Sequence, residues 1–266
     1  MSAVDKPREL CQKVLRTQPR KVAPLKLSFF LIAAFGLAAV IRSNAAPLSE
    51  AQVTEMKNQV NYRAESEADR AARLGDRVRG ADVLRTGEKS LAEMEFEDKT
   101  ITRLGPQSVF SFKSAEREFQ VKEGLGLFCM PKGSGGGRIV TAAITAAIEG
   151  TTVLALAAGK IVFLEGTGKV FTNDGRQQHA IRGGEIAFLE KGQLVVRPIA
   201  LQPILRSRFL RSRPRQLPTT PLILAVAREQ ENGGVGDIND PAGRNESLIV
   251  PLLNREFSGN RPPLLP

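Results

Sequence analysis

One histidine and two cysteines set the first limit on chemistry. His179 follows Asp174-Gly175-Arg176-Gln177-Gln178, and Cys11 and Cys129 lie far apart in a chain of 266 residues. A zinc centre takes three or four N, S or O ligands, so a His/Cys metal site lacks material. A Ser-His-Asp relay would have to use His179, whose polar surroundings fit an exposed strand edge instead. Glu93, Glu95 and Glu97 alternate with Ala92, Met94 and Phe96, which sets the carboxylates on one strand face roughly 6 to 7 Å apart. Paired carboxylates can serve glycoside hydrolysis or calcium binding; the alternation reads as a solvated outer face.

Two glycine segments raise the question of anion binding. Gly166-Thr167-Gly168-Lys169-Val170 matches the end of a phosphate loop in part. The first required glycine would fall at Phe163, however, and Val170 replaces the hydroxyl residue, so a hairpin turn is expected. Gly133-Ser134-Gly135-Gly136-Gly137 could wrap an anion, but no helix pattern follows to supply a dipole. It reads as a loop joining two halves of a domain. The sharpest charge feature is Arg206, Arg208, Arg211, Arg213 and Arg215, five arginines within ten residues. It is a candidate contact for lipid headgroups, anionic glycans or an acidic protein surface, with a solvated linker as the alternative. No cofactor or metal is expected, and the chain is not expected to be an enzyme.

The net charge of +10 is concentrated at the N-terminus, where residues 1–45 hold eight cations against two anions and the remainder carries only +4. No Lys/Arg run is interleaved with aromatics, so nucleic-acid binding is not expected. The uncharged run 27–41, LSFFLIAAFGLAAVI, follows Arg20, Lys21 and Lys26 and precedes Arg42-Ser43-Asn44-Ala45-Ala46-Pro47. A basic segment, an apolar run and small residues form a secretory signal. Ser43 and Ala45 would be the small-residue pair, with cleavage after Ala45; cleavage after Ala46 is disfavoured by Pro47. The alternative is a retained single-span anchor. Either way the positive N-terminal side places the rest outside the cytoplasm, in the periplasm or cell envelope. Cys11 precedes the cut, so the mature chain keeps a single thiol, Cys129. The apolar run 125–130 around it predicts burial.

Beyond the export segment, residues 46–73 read as a linker with a short helix or a strand leading into the domain, with Val53, Met56 and Val60 at helical spacing. From residue 78 the period changes to two. Short strands are expected at 91–97, 100–103, 108–112, 118–122, 126–130, 138–142, 146–148, 152–157, 160–165, 168–172, 179–181, 185–189 and 193–197, separated by Gly, Pro or Asn/Asp turns. Many short strands imply an all-β solenoid or sandwich over 74–197. The Ala-rich stretch 142–158 has helical propensity, but Gly150 and its β-branched neighbours favour strand. Residues 198–231 read as a basic extension with short helices at 203–210 and 221–231, and 232–266 as a disordered tail.

The ordered motifs resemble a known family. Val78-Arg79-Gly80-Ala81-Asp82-Val83-Leu84-Arg85-Thr86-Gly87, then residues 92–100, then Leu104-Gly105-Pro106-Gln107-Ser108, are similar to the first half of a FecR domain. Residues 138–142, Ala147-Ile148-Glu149-Gly150-Thr151-Thr152-Val153, Phe163-Leu164-Glu165-Gly166 and Ile181-Arg182-Gly183-Gly184-Glu185 are similar to the second half. The resemblance implies a periplasmic, solenoid-like β domain of the kind found in regulators that relay iron-transport signals to a sigma factor. Those regulators carry a cytoplasmic helical domain before the membrane span, whereas here 26 residues precede Leu27. Direct sigma-factor binding is therefore not expected. The reading is an exported binding or regulatory module in the envelope, holding an unknown envelope protein or glycan, with possible membrane-surface contact. A wall- or polysaccharide-associated scaffold is the alternative.

Overall fold

Alternating apolar residues in short runs, cut by glycine every few residues, build two sheets facing each other across a shared core. The structure, a computed structural model, describes residues 47–211 and 216–233. One nine-stranded sheet runs in spatial order β18 (Gln193–Pro198), β17 (Glu185–Glu190), β14 (Lys160–Glu165), β13 (Thr152–Leu156), β10 (Leu125–Cys129), β7 (Ile101–Leu104), β6 (Leu91–Phe96), β1 (Glu50–Lys57) and β4 (Arg77–Arg79). The second, also nine-stranded, runs β16 (Gln178–Arg182), β15 (Thr167–Thr172), β12 (Ile144–Ile148), β11 (Gly137–Val140), β9 (Glu118–Glu123), β8 (Val109–Lys113), β5 (Val83–Thr86), β2 (Val60–Arg63) and β3 (Arg70–Ala71). The protein is an all-β sandwich of many short strands. From β6 onward the chain deals strands to the two sheets in consecutive pairs, β10 excepted, and advances along the sandwich as it does so.

The residues that alternate in the sequence meet between the sheets. Ala92, Met94 and Phe96 of β6, Phe110 and Phe112 of β8, Phe119 of β9 and Phe128 of β10 share one core. Phe96 packs edge-to-face on Phe112 and Phe119, with centroids 5.1 and 5.2 Å apart. That geometry sets the positive ring edge against the negative face.

The crossings between sheets explain the glycine punctuation. Gly124 joins β9 to β10 and Gly166 joins β14 to β15, each as a single connecting residue. Both hold positive φ, +68° and +80°, and a Cβ would lie 2.3 Å from the Ser108 Oγ and 2.7 Å from the Thr151 Oγ1 respectively. Only glycine satisfies both the angle and the approach.

One crossing differs. β10 stands alone in the first sheet between β9 and β11 of the second, so the chain reverses twice and β11 runs parallel to β9, unlike the other pairs of the two sheets. Its return path, residues 130–136, is the longest connection between the sheets and contains most of the glycine run.

One expectation requires correction. Residues 46–73 are not a linker: β1 pairs with β6 inside the first sheet, and Ala51 and Val53 lie in the core. Val53, Met56 and Val60 show helical spacing because a register shift between Val53 and Glu55 breaks the alternation of β1. The domain thus begins well before residue 74. The Ala-rich stretch forms β12 and β13, as its β-branched residues favour.

The extension after Pro198 is not a free appendage. Helices α1 (Leu201–Leu205), α2 (Arg208–Arg211) and α3 (Thr220–Asn232) lie across the outer face of the first sheet. Leu201, Ile204, Phe209, Leu217 and Ile223 bury against Leu125, Leu127, Leu154, Val162, Leu164 and Ile186. Pro221 sits in the first turn of α3, where its missing N–H costs nothing. Gln230 ties the far end down, donating to the carbonyls of Gly184 and Ile199 and accepting from the Leu201 amide. Among the described residues no helix is long and apolar enough to cross a membrane. The export segment and the tail from residue 234 lie outside the described residues.

Candidate functional site

The long return path and three strands of the second sheet enclose an open groove of about 740 Å³. The glycine run forms one wall, with Gly133, Gly135 and Gly136 all at positive φ. Ala147 of β12 and Gly168 of β15 supply small surfaces, and Thr167 a hydroxyl. The pairing register fixes the order across the sheet. Arg138 of β11 faces Ala147 of β12, which in turn faces Lys169 of β15. Two cations therefore flank a small residue, their Cα atoms roughly 10 Å apart over two strand spacings.

Charges around the groove fall into a fixed set and a free set. Arg117 is buried; its Nε donates to the Gly136 carbonyl at 2.6 Å and its guanidinium pairs with Asp98. It pins the glycine run to the turn between β6 and β7. Lys132, Arg138 and Lys169 are exposed, as are Glu116 and Glu149. Among the described residues Arg138 and Lys169 form no salt bridge, although Arg138 faces Glu118 across β11 and β9 and its charge helps lower that carboxyl. The lining is thus mixed, with an excess of cations.

A buried relay of polar groups lies at the neighbouring corner. The Cys129 thiol sits 3.4 Å from the Thr219 hydroxyl, which lies 2.7 Å from the Thr152 hydroxyl, and Thr152 donates to Glu165 at 2.7 Å. Burial pushes the Glu165 carboxyl above its ordinary range; hydrogen bonds from Thr152 and the positive charge of Lys132 offset part of that. These groups hold the start of α3 onto the first sheet, beneath the surface. Cys129 is buried, as the apolar run around it predicts.

The glutamate strand is the clearest site correction. Glu93 does not face solvent. It faces Arg103 across β6 and β7 and accepts from its Nη2 at 2.7 Å and its Nε at 3.1 Å, with both side chains at most 3 % exposed. Arg103 also donates to the Phe209 carbonyl of α2, so the helical layer covers the pair. Glu95 is half-buried and pairs with Lys99, and Glu97 is exposed. Period two correctly places these carboxylates on the outer face of the strand; what covers that face is a segment more than a hundred residues away.

His179 lies exposed on β16, the edge strand of the second sheet. Among the described residues no three His, Cys, Asp or Glu side chains converge as metal ligands. Arg206 is exposed at the end of α1, and Arg208 and Arg211 belong to α2. Arg213 and Arg215 lie outside the described residues, as do Ala45 and Ala46 at the expected cleavage point. The described part of the arginine segment is anchored rather than loose, because Phe209 between the arginines is fully buried.

The groove itself joins the two glycine segments that sequence motifs assign separately to turns. The expected hairpin turn at 166–170 is corrected, since Gly166 alone crosses from the first sheet to the second and Thr167–Thr172 is strand β15, whereas 133–136 does form a connection. Their meeting depends on β12 lying between β11 and β15, a pairing that no local pattern encodes. The visible trace was outward-facing Arg138 and Lys169, each beside glycine.

No family model and no curated protein matches the chain. Two crystal structures of a candidate anti-sigma factor from Parabacteroides distasonis are similar to part of it, each at 13 % identity and a TM-score of 0.40. They cover 47 % and 46 % of this chain and 64 % and 62 % of their own, so the match spans just under two thirds of those proteins.

Proposed function

We propose that this chain is an exported, non-enzymatic binding module of the bacterial envelope, with a regulatory or signalling role exercised through what it holds on the open face of its second sheet. One observation carries the reading. The first sheet is roofed by α1, α2 and α3, whereas the equivalent face of the second sheet carries a cation-lined groove of about 740 Å³. Concave surfaces with a few convergent polar groups are where folded domains hold ligands. Export is supported by the basic, apolar and small-residue succession of residues 20–46. The ordered glycine-cornered motifs support a FecR-like domain.

A photo-crosslinking residue placed at Lys169 tests the binding face in cells. A discrete high-mass adduct with an envelope component, of protein or glycan, is expected from position 169 and none from exposed Arg79 at the far end of the sandwich. Adducts from Arg79 with none from Lys169 would move the binding surface elsewhere and end this reading.

A further inference from the structure

We propose that the groove takes an extended anionic glycan, a polymer of hydroxylated sugar rings carrying about one carboxylate per repeat. The inference rests on the reading that the open face of the second sheet is the binding surface. It names the ligand class for that face.

Three features separate a glycan from other polyanions. β12, the strand beneath the groove, is paired on both sides by β11 and β15. A peptide therefore cannot bind there by adding a strand, and recognition falls to side chains and loop backbone. The charges are also mixed. Lys132, Arg138 and Lys169 offer donors, but Glu116 and Glu149 stand among them. A phosphodiester chain, charged at every unit, would meet both acids, and none of the lining residues is an aromatic ring for base stacking. A sugar polymer uses both kinds of group, because its hydroxyls donate to carboxylates and its spaced acids accept from Lys and Arg.

The third feature is shape. Ala147 between two long cations leaves a shallow trough in which a ring can lie flat on a small apolar surface. The glycine run on one side and Thr167 and Gly168 on the other extend the trough to about 740 Å³, so it is not a single-ion pocket.

The test is calorimetric titration of the protein as purified from the envelope with a short oligogalacturonate, with polyglutamate, and with a neutral cello-oligosaccharide, whose binding as tightly as oligogalacturonate would overturn the inference. Oligogalacturonate is expected to bind at low salt and to weaken as salt rises. R138Q/K169Q is expected to weaken it about tenfold or more, a change of about 1.4 kcal/mol per tenfold step. A147F, which fills the trough on an outward-facing position, should abolish binding with the melting temperature unchanged; K169E gives the same readout if A147F fails to fold. Absence of oligogalacturonate binding overturns the inference, as does an undiminished A147F. Polyglutamate binding as tightly as oligogalacturonate would mark the groove as a general polyanion or acidic-peptide surface and equally overturn it. If oligogalacturonate fails while Lys169 still crosslinks to a protein, the binding face stands and only the ligand class falls.

Discussion

Arg103 and Glu93 sit between the first sheet and α2, and their worth depends on staying together. A buried pair contributes little over apolar groups of the same shape, but removing one partner strands a charge at about 3 to 5 kcal/mol. Here the stranded charge would have company. The Glu55 carboxyl is already raised by burial and by the neighbouring Glu93, with Arg103 and Lys57 opposing. R103A should therefore lower unfolding stability in urea by about 3 to 5 kcal/mol, while E93L/R103M should recover most of it. A double variant that loses as much as the E93L and R103M single variants added together would show that the two side chains are not coupled. Glu165 makes a pH prediction with a definite sign. Its folded carboxyl lies above the ordinary value of 4.5, so the folded chain binds the proton more tightly and stability falls as pH rises through and above that value. E165Q should match the parent's melting temperature at low pH and exceed it increasingly toward neutrality. A difference that shrinks as pH rises would refute the assignment.

At the scale of elements, the three helices act as the second wall of an outer core rather than as an appendage. Four of their side chains, Leu201, Ile204, Phe209 and Ile223, together with Leu217 of the segment before α3, bury on the first sheet. At about 1.5 to 3 kcal/mol for each large apolar side chain, their sum is comparable with the whole stability of a domain, about 5 to 15 kcal/mol. A chain ending after Pro198 should consequently bind a hydrophobic dye and aggregate at concentrations where the full chain stays monodisperse, as light scattering would show. A truncated chain that melts cooperatively at the parent's temperature would mean the helical layer contributes nothing to the sandwich. This layer was only half legible in sequence. The short helices can be anticipated from Pro221 and the apolar spacing of 201–210, but their destination cannot, since a strand buried on both faces reads as a plain apolar run. Leu125-Gly126-Leu127-Phe128-Cys129 is such a run: Leu125, Leu127 and Cys129 face the helices, and Phe128 faces the inter-sheet core.

For the whole molecule, the export reading makes its own prediction. N-terminal sequencing of the envelope-fraction protein should begin at Ala46, and A45F should leave the chain unprocessed, because a bulky side chain does not fit the small-residue position. Recovery of the intact chain from the membrane pellet would favour the retained anchor instead. The sandwich has two unlike outer faces: that of the first sheet is closed by α1, α2 and α3, and that of the second carries the groove.

The sequence by itself determined the strands from β6 onward and their corners. Period two and glycine are local signals: a strand alternates whatever it pairs with, and Gly166 must be glycine because its backbone takes φ +80° beside Thr151. Tertiary structure alone decided three things. It placed β1 inside the first sheet despite a shifted register, and it buried Glu93 with Arg103 beneath α2. It also brought the glycine run 133–137 beside Thr167, Gly168 and Lys169 around β12. Each depends on segments distant in the chain, brought together by the dealing of strand pairs to two sheets. A polar residue's spacing tells which side of a strand it occupies, but whether water, a helix or a ligand meets it there depends on what the rest of the chain brings to that side.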